Sequence, residues 1–345
     1  MSKTPAELGY RMPAEWERHS SIWLSWPHDP ITFPDRVERA EEIYSEIIHA
    51  IHESEAVNLF VKDNAMKERA VGLLKGKKTN LEKINFHYFD YADVWFRDYG
   101  PIFVVNDADN KLAMVHWRFD AWGGKYETLM KDTVIPSIIN SSMKIPCFTP
   151  GITLEGGSID VNGKGTLLTT EQCLLNTNRN PNLSRGEIEK YLKDYLGVRH
   201  LIWLKDGIVG DDTDGHIDDI ARFIDPVTVV YAFEDNENDE NHEILKENFD
   251  ILQNSTDQDG NKLKLVKLPM PGFIGDEEGR LPASYANFYI GNKVVLVPVF
   301  GHENDEKALK ILQELFPSRK VVGINCNDLV YGLGTIHCIS QQQPS

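Results

Sequence analysis

Cys338 stands in the C-terminal stretch GTIHCISQQQPS, directly after His337. Read as a strand, this stretch sends neighbouring side chains to opposite faces, so the two are not expected to form a thiolate–imidazole pair. If Cys338 is a nucleophile, its acid/base partner comes from elsewhere, and His337 reads as a packed or hydrogen-bonded histidine. The best source is GDDTDGHIDD, Gly210 to Asp219, which holds five aspartates and His216. Runs this acidic are often solvated loops or calcium loops. The calcium reading fails on spacing: aligning Gly215 with the loop glycine places Gly210 at the first ligand position and Ala221 at the last, where an acid is required. His216 and Asp218, at i and i+2 of an extended chain, project to one side. A histidine beside a fixed carboxylate suits acid/base work. Asp212 and Asp214 of the same run are candidates for the substrate side.

Two further stretches carry usable acids. DVWFRDYGP, Asp93 to Pro101, crowds Trp95, Arg97 and Asp98 ahead of a Gly-Pro turn, where an Arg97–Asp98 structural pair is the plainer alternative. TLEGGSID, Thr153 to Asp160, presents Glu155 before two glycines, and alone it reads as an ordinary turn acid. Brought together, a thiol, a histidine and three carboxylates need a cation among them, because clustered anions are costly without one. A planar guanidinium fits, since a carboxylate grips two of its N–H groups at once. The thiol then attacks the central carbon, the histidine protonates the departing nitrogen as ammonia, and activated water breaks the thiouronium. One hard step becomes two easier ones.

The elements that must position these residues repeat. PIFVVNDADNKLAMVHW (101–117), GGSIDVNGKGTLLTT (156–170), IARFIDPVTVVYAF (220–233) and ANFYIGNKVVLVPVF (286–300) each read as a β-hairpin, with Asn162-Gly163, Asp225-Pro226 and Gly291-Asn292 at three of the turns. The turns recur roughly every 60 residues, a spacing typical of repeat architectures. A helix and a strand follow each hairpin. The clearest helix is LSRGEIEKYLKDYLG (183–197), opened by a capping box of Ser184 and Glu187. The unit is strand, strand, helix, strand. SSIWLSWP (20–27) and the C-terminal TIHCISQ each lack a partner strand, and pairing them completes a fifth unit and closes a ring without open sheet edges. Asp98, Glu155 and His216/Asp218 each lie just ahead of a hairpin, so pseudo-symmetry brings them to one end of the axis, within reach of Cys338. No linker or low-complexity segment interrupts the chain, and residues 1–345 read as one domain.

Composition narrows the class. Hydrophobic residues make up 41% and charged residues 26% of 345 residues, as in soluble globular proteins. No apolar run is long enough for a bilayer, and the N-terminal stretch has no apolar signal-peptide core. Four cysteines without CxxC spacing suit a reducing cytoplasm rather than a zinc ribbon or disulfide framework. A net charge of −17 disfavours nucleic acid and anionic membranes and attracts small cations.

Six motifs in order, MPAEWERHSSIWLSWP, VWFRDYGP, FDAWGGKY, LEGGSID, DDTDGHIDD and GLGTIHCISQQQP, make the chain resemble the agmatine deiminases of the guanidino-group-modifying (pentein) superfamily over essentially its whole length. The resemblance implies an α/β fold, a five-bladed α/β propeller of pseudo-symmetric ββαβ units, with no metal or organic cofactor. It implies Cys338 as the nucleophile carrying the amidino intermediate and His216 as general acid/base. Asp98 and Asp218 would clamp the guanidinium, Glu155 would orient His216, Trp95 would line the pocket, and Trp122 with Gly123-Gly124 would belong to a wall or lid. The expected reaction is deimination of agmatine to N-carbamoylputrescine and ammonia, in polyamine biosynthesis or agmatine catabolism, and the expectation is compatible with a homo-oligomer. The pattern before the cysteine departs from the usual GGGNIHC: here it is GLGTIHC, with Leu333 and Thr335. Related families act on free arginine or peptidyl-arginine. In the loop PMPGFIGDEEGRLPASYANF (269–288), expected to face the pocket, Asp276, Glu277 and Glu278 would favour agmatine's second cation, while Arg280 would favour a carboxylate. Two rivals remain at this point. One is a metal-dependent agmatinase, for which no second run of ligand residues is found. The other is a non-catalytic polyamine-binding protein, which needs the acids but not Cys338.

Overall fold

The computed structural model describes residues 3–345. The fold is mixed α/β, and one pattern accounts for five of its sheets. In each, an antiparallel pair is followed by a helix and then by a strand parallel to the second member. The four expected hairpins form Ile102–Asn106 with Lys111–Val115, Asp160–Val161 with Thr166–Thr170, Ala221–Phe223 with Thr228–Phe233, and Tyr289–Ile290 with Val294–Val299. Their third strands are Cys147–Phe148, His200–Leu204, Lys264–Pro269 and Lys320–Asn325, all parallel to the preceding strand. The intervening helices are Ile135–Met143, Arg185–Leu196, Asn241–Asn254 and Asp305–Leu315.

The fifth sheet joins the two ends of the chain. Gln341–Pro344 pairs antiparallel with His19–Ser25, which runs parallel to Ala56–Val61 after the helix Val37–Ile51. The extra helix Asn64–Gly76 and the strand Ile84–Tyr88 extend this sheet by one strand. The terminal pairing agrees with expectation, but its register does not. The C-terminal strand begins at Gln341. Ile336 to Ile339 form a turn, closed by Ile339 N–H on the Thr335 carbonyl and Ser340 N–H on that of His337. Cys338 therefore lies on a tight turn before the strand and not within it. Ile336 and Ile339 are β-prone but fully buried, and burial rather than propensity sets the local backbone.

Local chemistry sets the boundaries elsewhere. Ser184 and Glu187 form the predicted reciprocal capping box, and Gly197 ends that helix at φ 68°. A side chain at Gly197 would also strike the Tyr10 carbonyl at 2.6 Å. The helix Val37–Ile51 buries Ile43, Tyr44, Ile47, Ile48 and Ile51 along one face. Each such side chain contributes about 1.5–3 kcal/mol of burial free energy. They belong to the largest apolar cluster, which also includes Trp95, Ile336 and Cys338. Among the described residues, no helix is long and apolar enough to cross a membrane.

Candidate active site

A short turn precedes the first strand of every unit. These turns are Phe96–Tyr99, Gly156–Ser158, Ile217–Asp219, the bend at Tyr285–Ala286, and Ile336–Ile339. His216 keeps an extended backbone and caps the 3₁₀ turn Ile217–Asp219 that carries Asp218, so the two do not share the continuous extended segment expected from their spacing. Each turn delivers a side chain to one place. Asp218 Oδ2 lies 3.8 Å from Cys338 Sγ. Asp98 Oδ1 lies 3.7 Å from His216 Nδ1. Two glycines allow this approach: a Cβ on Gly157 would fall 2.5 Å from His216 Nδ1, and one on Gly156 would fall 2.2 Å from the Arg97 carbonyl. Gly334 is required for the same reason, since its Cβ would meet the Trp95 ring at 2.6 Å.

Each acid has a distinct setting. Asp98 accepts from Trp122 Nε1 and from Gly157 N–H, both at 3.0 Å. Arg97 does not pair with it; Arg97 reaches Gln342 Oε1 at 2.8 Å and the His337 carbonyl at 3.3 Å. Glu155 accepts from Arg179 Nε at 2.6 Å, inside a fully buried ion pair. His337 is hydrogen-bonded, as expected, with Nδ1 at 2.6 Å from Asp218 Oδ2. Glu155 Oε2, His216 Nε2 and Asp218 Oδ1 are among the buried side-chain atoms without a partner in the described residues. Buried polar atoms normally find partners, so three orphans in one locus mark where a polar ligand is received.

Burial and like charge dominate the electrostatics. Burial, then Asp218, Asp219 and Asp98, push the Cys338 thiol well above its ordinary range. Burial lowers the His216 imidazole to about 3, so it is neutral at neutral pH. Burial followed by Asp218 and Glu155 drives Asp98 well up. Burial is the largest influence on Asp218 and opposes its ionisation, yet the hydrogen bond from His337 together with the charges of His337, His216 and Arg222 outweighs it and holds that carboxyl below its usual range. In this cluster Asp218 is the anion, while Asp98 and the thiol keep their protons until a cation arrives.

A cavity of about 170 Å³ opens onto Cys338. Trp95, Trp122 and Leu333 are among its walls, and its acids are Asp29, Asp93, Asp98 and Asp212, without a single lysine or arginine in the lining. Trp122 sits in a left-handed turn with φ 55°, following Ala121 at φ 55°, and this aims its indole N–H at Asp98. Asp212 stands in the wall as expected, taking a hydrogen bond from Tyr126. Asp214 does not. Its carboxylate is taken up by Arg179 at 2.7 Å and by Asn178 and Lys125 at 2.9 Å. The loop at 269–288 also departs from expectation in its acidic part. Asp276, Glu277 and Glu278 are exposed to solvent and absent from the cavity, and Arg280 is bound to Asp239 at 2.7 Å and the Gly272 carbonyl at 2.9 Å.

The same loop's last residues supply a partner that sequence reasoning missed. Asn287 donates to Cys338 Sγ at 3.0 Å, while its Oδ1 accepts from Thr335 Oγ1 at 2.7 Å and from His337 N–H at 3.0 Å. The repeat carried the signal, because Asn287 occupies the place in the fourth unit that Asp98, Glu155 and Asp218 occupy in the first three. Arg179 had no such marker. Among the described residues, two groups have ligand atoms within 4.8 Å of one another, Glu155 with Cys173 and His216, and Asp218 with Asp219 and Cys338. They share no residue, so no carboxylate bridges them as one paired-ion centre.

Residues 11–344 match the family described as Porphyromonas-type peptidyl-arginine deiminase. The chain is 37% identical to the agmatine deiminase of Medicago truncatula, over all of this chain and 99% of that one. In structure it is similar to the agmatine deiminase of Enterococcus faecalis, with TM-score 0.92 and 35% identity over all of this chain and 98% of that one. It is also similar to a cysteine-to-serine variant of the C. jejuni agmatine deiminase with substrate bound, with TM-score 0.88 and 31% identity over 97% and 96% of the two chains.

Proposed function

The chain belongs to the Porphyromonas-type peptidyl-arginine deiminase family, and from its full-length likeness to agmatine deiminases we propose that it hydrolyses agmatine to N-carbamoylputrescine and ammonia. The observation that carries the choice of substrate is the cavity itself. A thiol lies at its inner end, four aspartates line it, and no cationic side chain does. Agmatine brings a guanidinium and an ammonium, and both are attracted by such a lining. Arginine brings a carboxylate that would face aspartates, and the base near the lining, Lys125, is already engaged by Asp212 at 3.6 Å and Asp214 at 2.9 Å.

The roles follow from the geometry. The guanidinium enters between Asp98 and Asp218, and the orphaned Asp218 Oδ1 takes one of its N–H groups. Its charge favours the thiolate of Cys338, whose proton passes to the neutral imidazole of His216. The thiolate attacks the guanidinium carbon, forming a C–S bond. His216 returns the proton to one nitrogen, and the C–N bond breaks to release ammonia. Water, giving a proton to His216, adds to the thiouronium carbon; the C–S bond breaks, the added hydroxyl's proton passes to sulfur to restore the thiol as the urea product forms, and His216 gives up its proton to the released ammonia or to solvent. Glu155, whose free oxygen lies near His216, steadies the imidazolium in both half-reactions. Trp95 and Trp122 form the walls along the alkyl chain, and Asp212 stands further out, toward the ammonium.

In this reading the five ββαβ sheets are the blades of one α/β propeller, and residues 1–345 form one domain. Four free cysteines suit a reducing cytoplasm. Putrescine metabolism would use the product. The test is product analysis with agmatine, arginine and a peptidyl-arginine side by side. Ammonia and N-carbamoylputrescine should come from agmatine at the highest kcat/KM, and citrulline formed as readily from arginine overturns the proposal.

A further inference from the structure

The N-terminal motif MPAEWERHSS has no part in the chemistry described so far, yet its Glu15 is buried against the nucleophile's neighbour. Glu15 Oε1 accepts from Ile290 N–H at 2.7 Å. Glu15 Oε2 accepts from Arg222 Nη2 at 2.8 Å and lies 2.7 Å from His337 Nε2. The other ring nitrogen of His337 lies 2.6 Å from Asp218 Oδ2. The imidazole is clamped between two carboxylates, and all three side chains are at most 7% exposed.

A neutral imidazole has one N–H and cannot donate to both. Glu15 does not supply the missing proton: burial opposes its charge, but the Arg222 guanidinium on its Oε2, with help from His337 and Arg97, outweighs burial and holds the carboxyl below its usual range. The surrounding charges agree. Glu15, Asp160 and Asp218 face Arg97 and Arg222, with Asp160 held by Arg222 Nε at 2.6 Å and by Phe223 N–H at 2.9 Å. Glu15 and Asp218 are the two anions set against the ring, one at each nitrogen, and each calls for an N–H. The remaining titratable neighbours, Asp219, Tyr289 and Cys338, favour their protonated forms in this burial.

We infer that Glu15 is a positioning residue for the deimination, holding His337 as an imidazolium whose Nδ1–H fixes one oxygen of Asp218 and keeps that carboxylate ionised, with its other oxygen free for the guanidinium. This rests on the deiminase reading above. The need for such a device is physical. Asp98, Asp218, Asp219 and the thiol crowd one buried locus, and without a bias a proton would settle on any of them. A fixed cation on the far side of Asp218 selects which acid meets the substrate charged.

Two measurements on the full chain test this. The first is ¹⁵N NMR of histidine-labelled wild-type protein, with His337 assigned from a His337→Gln sample. Both ring nitrogens of His337 should be protonated at neutral pH, as the two carboxylates at 2.6 and 2.7 Å require. A neutral tautomer at neutral pH overturns the proposal, whatever the enzyme's activity. The second is the pH profile of kcat/KM for agmatine in Glu15→Gln, which keeps side-chain shape but loses the charge. Its acid limb should move up by at least one pH unit, lowering kcat/KM about tenfold at pH values below the limb, mainly through KM, and recovering toward alkaline pH. An unshifted profile, with activity unchanged or lowered equally at every pH, reduces Glu15 to a structural ion pair and overturns the proposal. Wild-type protein that releases no ammonia from agmatine would refute the deiminase reading instead, and the NMR result stands apart from it.

Discussion

The amide of Asn287 points its NH₂ at the sulfur of Cys338 from 3.0 Å, and it can point no other way. Thr335 Oγ1 and His337 N–H both donate to the opposite atom, Oδ1. The His337 N–H, which can only donate, fixes the amide's orientation, and Thr335, which replaces the asparagine of the familiar GGGNIHC pattern, adds a second donor to the same oxygen. Asn287→Ala removes a donor that would stabilise the thiolate, and kcat/KM should fall about 10²-fold, the scale of losing one fixed hydrogen bond to a developing anion. Thr335→Val leaves the His337 N–H in place and should cost about 1 kcal/mol, or several-fold. Steady-state kinetics of the two variants decide it. Equal and small losses would mean that the amide is not aimed at the reacting sulfur.

The thiol should be neutral in the free enzyme. Burial, then Asp218, Asp219 and Asp98, disfavour a further anion, so the ionisation of Cys338 lies above that of an ordinary cysteine. Below that value the thiol keeps its proton. Alkylation by a neutral reagent should therefore be slow at neutral pH and should keep accelerating past about pH 9 without reaching a plateau. Thiolate absorbance, taken as the difference between wild type and Cys338→Ala, should appear only when a guanidinium ligand is added. A plateau already reached at neutral pH in the free enzyme would contradict the electrostatics of the site.

Arg179 is the cation that makes a fully buried Glu155 tolerable. Arg179→Met should destabilise the protein by roughly 3–5 kcal/mol, because an unpaired buried carboxylate is left behind. Adding Glu155→Gln should restore much of that stability but none of the activity. Urea midpoints for the two variants measure the difference. A single variant that loses less than about 1 kcal/mol would show that Glu155 can shed its charge at small cost.

Much of this arrangement was legible in the sequence, and the limits have physical causes. The hairpins, the Ser184 capping box and the pairing of the two termini follow from local propensity and repetition, and all are present. Asp98, Glu155, His216, Asp218 and Cys338 were expected at one end of the fold from their place in the unit, and Asp98 does lie 3.7 Å from His216 and Asp218 3.8 Å from Cys338. The turn at Cys338 was misread because Ile336 and Ile339 look like strand residues, while burial of both bends the chain. Asp214 was read as a substrate ligand because its partner, Arg179, lies 35 residues away in sequence. Glu15 and His337 are separated by 322 positions, and no local pattern links them. Arg280 looked free for a carboxylate until Asp239 was seen to hold it.

Leu333 occupies a left-handed conformation at φ 72°, where the familiar pattern has glycine. That conformation costs an L-residue roughly 1–2 kcal/mol, and glycine's extra chain entropy takes back about 0.5–1 kcal/mol. Leu333→Gly should therefore stabilise the protein by roughly 0.5 kcal/mol on these two figures. Leu333→Val, β-branched at positive φ, should destabilise it. Thermal melts of the two variants should move in opposite directions, and a loss of stability in the glycine variant would mean that the packing of Leu333 in the cavity wall outweighs its strain.

The central claim is that Cys338 carries the substrate's amidino carbon covalently. Its most direct test is acid quenching of the enzyme during turnover of agmatine, followed by peptide mass analysis. The peptide containing Cys338 should gain the mass of agmatine less that of ammonia, and the gain should vanish in Cys338→Ser. Adduct on Cys147, Cys173 or Cys326, or turnover that survives in Cys338→Ala, would contradict it.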